Sequence, residues 1–184
     1  RLEIVPGDEN LSGVETELAD EARRSYRLRD AIRGHVEKYA NDPDKRYDFI
    51  LIDCPPSLSI LTINALAAAD SVLIPMQCEY YALEGLSSLL DTIERVRQTV
   101  NPKLEIEGLL RTMFDGRNNL ANDVAAQIRE HFGSQVFMTV VPRNVKVAEA
   151  PSFGQSAIEY DQLSRGAVAY KGLASELLRR NHGQ

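Results

Sequence analysis

Asp53 stands at an unusual junction. It follows four apolar residues, Phe49 to Ile52, and precedes Cys54, Pro55 and Pro56 in the stretch "RYDFILIDCPPSLSIL". An apolar run without alternation predicts a strand buried on both faces, as in a parallel sheet covered by helices. The two prolines remove backbone donors and fix φ, so the strand must stop there. A carboxylate just beyond a rigid strand end, in the crevice where open α/β sheets bind ligands, can organise the water shell of a nucleotide-bound Mg²⁺. That is the shape of a Walker B element. The same residues also fit an Asp that opens a turn. A phosphate loop of the form G-x-x-x-x-G-K-S/T would complete such a site. No Gly-Lys dipeptide occurs anywhere in the sequence, so these residues do not make a complete nucleotide site of that kind.

Other chemistries find less support. Cys54 and Cys78 form no C-x-x-C pair, which speaks against a zinc site or a disulfide framework and for two small buried hydrophobes in a reducing cytoplasm. His35, His131 and His182 are scattered over predicted helices and suggest no metal constellation. At 43% hydrophobic and 26% charged residues, the 184-residue chain has the composition of one soluble domain with a sizeable core. No apolar run approaches the roughly 18 residues of a membrane span, and no signal peptide opens the chain. The net charge of −6 is unevenly placed. Residues 1–92 carry 9 Lys/Arg against 17 Asp/Glu, a net −8, whereas residues 93–184 carry 12 against 10, a net +2. A basic patch can therefore exist in the second half of an acidic protein.

The elements that must position these residues alternate. Leu2 to Val5 reads as a strand ending in a Pro-Gly turn, and Asn10 as the N-cap of a short helix to about Leu18. Leu28, Ile32, Val36 and Tyr39 make one face of a helix over 26–40. "SVLIPM" predicts a second buried strand, and "ALEGLSSLLDTIERVRQTV" a long amphipathic helix stopped by Asn101-Pro102. "LEIEGLLRTMF" predicts a strand, "NLANDVAAQIREHFG" a helix closed by Gly133, and "QVFMTVVP" a last strand. The terminal helix, Ala167 to Arg180, turns Tyr170, Leu173, Ala174, Leu177 and Leu178 inward. About five strands alternating with helices predict one doubly wound α/β domain, 1–184, with a mostly parallel sheet and helices on both faces. "EYYALEGLSSL", Glu79 to Leu89, fits either a cleft-lining segment or a helix start with tyrosines packed on the sheet.

"YDFILIDCPPSLSILTINALAAADSVLIPMQCEYYALEGLSSL", "GLLRTMFDGRNNLANDV" and "VPRNVKVAEAPSFGQSAIEYDQLSRGAVAYKGLASELL" together resemble the ParA/Soj family of chromosome- and plasmid-partitioning ATPases. The resemblance covers essentially the whole chain. It implies a deviant Walker A P-loop fold in which the signature lysine, and an Asp that assists hydrolysis, lie upstream of Arg1. The chain would then be the larger carboxyl-terminal part of the domain, inactive alone. The resemblance makes Asp53 the Walker B carboxylate on the Mg²⁺ side of bound ATP or ADP, and places Pro142 and Asn144 at the adenine. It implies an ATP-bound homodimer that binds DNA without sequence preference, through Arg117 and Lys146, with Arg143 a weaker third and Arg165 and Lys171 next. It further implies a ParB-like partner that stimulates hydrolysis, and a cytoplasmic, nucleoid-associated protein. Arg111 departs from the family pattern, which usually has an apolar residue before Thr-Met.

Three other classes compete. A MinD-like septum-positioning ATPase would end in a basic, membrane-binding amphipathic helix. Here only Arg179 and Arg180 follow a helix whose apolar face belongs to the core, which favours DNA over membrane. An iron–sulfur scaffold or reductase relative would need cysteines placed to bridge two subunits. A nucleotide-independent interaction module would bind no ATP even at full length.

Overall fold

The computed structural model describes residues 2–8, 11, 13–18, 20–42, 44–55, 57 and 59–182. They fall into two compact units, residues 1–71 with 91–105 and residues 72–90 with 106–184. The helices are α1 (Val14–Glu17), α2 (Arg27–Tyr39), α3 (Ile60–Ala68), α4 (Ala82–Thr99), α5 (Asn119–Phe132), α6 (Val145–Glu149), α7 (Ala157–Tyr160) and α8 (Arg165–His182). The strands are β1 (Ser71–Gln77), β2 (Glu105–Phe114) and β3 (Val136–Pro142). The fold is α/β, with helices on both sides of a parallel sheet.

In the first unit, α2 packs on α3. Ser59 caps α3 by accepting from the Leu61 amide at 3.2 Å. Asn64 ties the two helices, accepting from the Leu28 amide at 3.1 Å and donating to the Arg24 carbonyl at 2.8 Å. Asn101 closes the other end of α3, donating to the Leu66 and Ala69 carbonyls at 2.9 and 2.8 Å. Leu28, Ile32, Val36 and Tyr39 share the half-buried face of α2, as their spacing predicts. The helix α3 was not expected; its largely apolar sequence lacks the periodicity that marks a surface helix.

Two predicted strands are not formed. Phe49, Ile50 and Leu51 are 41%, 47% and 84% exposed and lie outside any described strand ladder, and Leu2 to Val5 are likewise exposed and outside any described ladder. Apolar composition gives a segment the capacity to be buried, but a strand exists only where a neighbour supplies hydrogen-bond partners. No described strand does so here. The described sheet therefore has three strands rather than about five. The predicted first helix shrinks to the single turn α1, and its expected cap, Asn10, lies outside the described residues.

The second unit holds the sheet, in the order β1-β2-β3. β2 and β3 run parallel with Leu109 opposite Val136, Arg111 opposite Val140 and Phe114 opposite Pro142. The pairing shifts twice along that ladder, and Met113 adopts φ +48° at the second shift. Such irregularities re-aim side chains at a sheet's end. Leu110, Phe137 and Val141 form a core against Leu73 and against Ala169, Leu173 and Leu177 of α8. Ala121, Val124, Ala125 and Ile128, spaced i, i+3, i+4, i+7, are the buried stripe of α5. Asn118 caps that helix, accepting from Leu120 N–H at 3.0 Å, and Gly133 ends it at φ +51°.

The terminal helix is rotated from its predicted setting. Leu173 and Leu177 do face the core, but Tyr170, Ala174 and Leu178 are exposed, and the buried positions include Ala167 and Glu176. The cause is Glu176, which caps the free edge of β3. Its carboxylate accepts from the Met138 and Thr139 amides at 2.8 Å each, from the Thr139 hydroxyl at 2.6 Å and from Arg180 at 3.0 Å. Satisfying two edge amides with one buried carboxylate outweighs burying one more apolar ring.

Candidate functional site

In the first unit, Asp53 is exposed at the end of the extended Phe49–Ile52 segment rather than at the end of a buried strand. Its neighbour Cys54, expected to be buried, is exposed with its thiol 3.7 Å from the Ile52 carbonyl oxygen. Cys78 is buried as expected. Among the described residues no three His, Cys, Asp or Glu side chains are grouped to hold a metal between them. Asp53 offers one exposed carboxylate. That fits Mg²⁺, which is held by one or two carboxylates together with substrate phosphates and waters, and not an all-protein cage.

In the second unit, the structure brings Pro142 and Asn144 to one place, the carboxyl end of β3. Pro142 is the last residue of that strand. The following turn is pinned by the Arg143 amide, which donates to the Phe114 carbonyl at 3.2 Å. Asn144 caps α6, its Oδ1 accepting from the Val147 amide at 3.2 Å. Gly166 of α8 lies so close that an added Cβ there would collide with Val147 and press on Asn144. The Asn144 side chain is therefore held by both its cap and its neighbour. A proline face and a fixed amide side by side can take the edge and plane of a flat heterocycle.

The basic candidates do not form one free patch. Arg117 is 91% exposed at its side chain, and its guanidinium grips Asp115 in a two-pronged pair, 2.9 Å from Nε to Oδ1 and 2.7 Å from Nη2 to Oδ2. Those bonds, the Arg117 backbone amide and the charges of Arg117 and Arg143 hold the Asp115 carboxyl well below the usual carboxylate range. Lys146 sits in a separate network. Its Nζ lies 3.2 Å from Glu149 Oε2 and 5.4 Å from the centre of the Tyr160 ring, and the Tyr160 hydroxyl donates to the same oxygen at 3.1 Å. The bond to Glu149 and its charge raise the Lys146 pKa. Arg143 and Arg165 are exposed.

Sequence reasoning missed both counter-charges, although "DGR" and "KVAE" place a carboxylate two residues before Arg117 and three after Lys146. It also missed the setting of Arg111. That side chain is 2% exposed and lines a cleft of about 660 Å³ with Arg129, Arg165 and Pro142. The Glu79–Leu89 segment is a helix start, but Tyr80 and Tyr81 are each 74% exposed, stacked edge to face on one another rather than packed on the sheet.

Among the described residues, no helix is long and apolar enough to cross a membrane. A family profile described as an AAA domain matches residues 1–106. The chromosome partitioning protein ParA of Caulobacter vibrioides is 54% identical over 179 residues, 97% of this chain and 65% of that protein. The chromosome-partitioning ATPase Soj of Thermus thermophilus is 49% identical over 177 residues, 96% of this chain and 66% of that protein. The chain thus spans just under two thirds of the length of these relatives. A solved structure of cobyrinic acid a,c-diamide synthase from Mycobacterium smegmatis, with bound ADP and magnesium, superposes with a TM-score of 0.76 at 34% identity, covering 97% of this chain and 63% of that one. That structure carries a different name on the same fold, so the fold alone does not choose the family; the identities of 54% and 49% over nearly the whole chain do. The chain belongs to the ParA/Soj family of chromosome-partitioning ATPases.

Proposed function

We propose that the protein is an ATP-driven partitioning switch: ATP joins two copies, the dimer binds DNA without sequence preference, and a ParB-like partner stimulates the hydrolysis that releases it. The observation that carries this reading is the 54% identity with a chromosome partitioning ParA over 97% of the chain. As a switch it needs only a ligand with different affinity for two states. Bound Mg²⁺–ATP would supply the phosphoryl group that water attacks. Asp53 would accept hydrogen bonds from the metal's waters, and Pro142 and Asn144 would hold the adenine. Arg117 and Lys146, with Arg143 beside Asp115, would meet DNA phosphates, which requires charge and little geometry. The phosphate loop is the part these 184 residues do not contain, so the reading concerns a chain of the relatives' full length, working in the cytoplasm on the nucleoid.

The test is hydrolysis by a full-length chain. Asp53→Ala should lower the ATPase rate by at least about a hundredfold, with the circular dichroism spectrum retained, since positioned charge at phosphoryl transfer is worth that much. A rate equal to the parent's, with unchanged Mg²⁺ dependence, returns Asp53 to a turn former and removes the switch built on it. The 184-residue chain alone should show no Mg²⁺-dependent ATP binding by calorimetry.

A further inference from the structure

The cleft between α5 and α8 carries an excess of positive charge, and the partitioning reading uses neither Arg111 nor Arg129 in it. Arg111 reaches it from β2, Arg129 from α5 and Arg165 from α8, and no carboxylate lines it. Arg111 is almost wholly buried. Its Nη2 donates to the Phe137 and Met138 carbonyls at 3.0 and 3.4 Å, but its Nε is buried with no partner. Burial lowers the Arg111 pKa, and the charge of Arg129 lowers it further. Glu176, whose charge also reaches Arg111, is already engaged by the Met138 and Thr139 amides and by Arg180. Arg129 and Arg165 make no ion pair among the described residues.

A buried charge without a counter-ion is costly, and Arg111 is such a charge, with the exposed Arg129 and Arg165 lining the same cleft, so the cleft presents half of an interaction. Guanidinium forks match phosphate oxygens geometrically as well as electrically. The remaining walls include Phe114, Pro142 and Val168, apolar surface beside the charge. A volume of about 660 Å³ lies within the range of small-molecule sites, roughly 300–1,000 Å³. The geometry points to a metal-independent site for a small phosphorylated molecule, its phosphate on Arg111, Arg129 and Arg165 and its body against Phe114 and Pro142. It shares Pro142 with the proposed adenine position, and it does not rest on the ATPase reading. Duplex DNA is a poor occupant, because its phosphates cannot follow the cleft down to Arg111.

Pyrophosphate is the probe, titrated calorimetrically into the chain in Mg²⁺-free buffer with EDTA. Saturable binding is expected. Arg129→Gln and Arg165→Gln, both at exposed positions, should each weaken it about tenfold, the worth of one charge-assisted hydrogen bond. Arg33→Gln, on α2, should change nothing. Arg111→Lys, which keeps a charge but loses the fork, should also weaken it; if that variant does not fold, the two exposed variants decide. No binding at millimolar pyrophosphate, or equal affinity in every variant, overturns the site. So does a result in which the cleft variants leave pyrophosphate unaffected and weaken a short DNA duplex instead, which would assign these arginines to the DNA surface. Asp53→Ala should leave pyrophosphate binding intact, so failure of this site and failure of the Mg²⁺–ATP reading are separately visible.

Discussion

Two sets of basic side chains in the second unit are built on opposite plans. On the surface, Arg117 and Lys146 each hold a carboxylate of their own, Asp115 and Glu149, within three residues along the chain. In the cleft, Arg111, Arg129 and Arg165 come from three different elements and share no carboxylate. The surface pairs neutralise charge in the free protein, so a DNA phosphate must compete with a tethered carboxylate for each cation. The cleft leaves its charge without a carboxylate, and at Arg111, where water is excluded, an anion gains most. A basic residue's value to a ligand therefore depends less on its type than on what already holds it.

The largest effect should separate the two sets by stability. Arg111→Ala empties a buried volume and removes the donor to the Phe137 and Met138 carbonyls, so it should destabilise the chain by about 2–4 kcal/mol in urea unfolding. Arg117→Ala should leave the unfolding midpoint where it was. Equal midpoints for the two variants would erase the distinction between buried and surface arginine.

Next in size is the carboxylate that the cleft does not get to use. Glu176→Gln loses charge-assisted bonds from two amides, a hydroxyl and Arg180, and should cost about 1–3 kcal/mol. Burial alone would raise the Glu176 pKa, but the bonds from Thr139, Met138 and Arg180 overcome it and the net shift is downward. A depressed folded pKa gives stability that is present above the ordinary glutamate value, about 4.3, and is lost as pH falls through the lower folded value. The parent should therefore lose stability on acidification below that value more steeply than Glu176→Gln does. Parallel acid limbs for the two proteins would mean that the edge-capping carboxylate titrates as in the unfolded chain.

The smallest effects concern DNA in a full-length, ATP-bound protein. Arg117→Ala and Lys146→Ala should each weaken binding on unrelated sequences and make the slope of log affinity against log salt shallower, by roughly 0.9 for each phosphate no longer neutralised. Asp115→Asn and Glu149→Gln should do the reverse, strengthening binding about two- to fivefold by freeing the cations from exposed pairs. If the carboxylate variants bind no better than the parent at any salt concentration, the surface pairs do not compete with phosphate.

The helices α2, α4 and α5 and the strands β1, β2 and β3 were legible because each carries its own signal: a 3.6-residue stripe, a cap such as Asn118 or Gly133, or an apolar run with a stop. The surface ion pairs were legible in principle, since Asp115 and Glu149 lie within three residues of their partners. That Phe49–Ile52 pairs with no described strand was not legible, because pairing is a property of two segments and only one of them can be read at a time. The setting of α8 failed for a related reason. Its apolar residues suggest one face, but Glu176 turns another inward to meet amides on β3 that lie nearly 40 residues earlier.

The sequence by itself determined the family, through long strings in the right order, and with it the α/β class, and it put forward Asp53, Pro142, Asn144, Arg117 and Lys146 as the residues to test. Local chemistry sufficed there, because each of those features is contained in one short segment. Only the tertiary structure decided which charges are free. Arg111 reads in the sequence as an oddity in an apolar strand. Its meaning comes from α5 and α8, which bring Arg129 and Arg165 to the same cleft and leave out every carboxylate. Electrostatic compensation acts through space, and a linear string of residues holds no distances between strand, helix and helix.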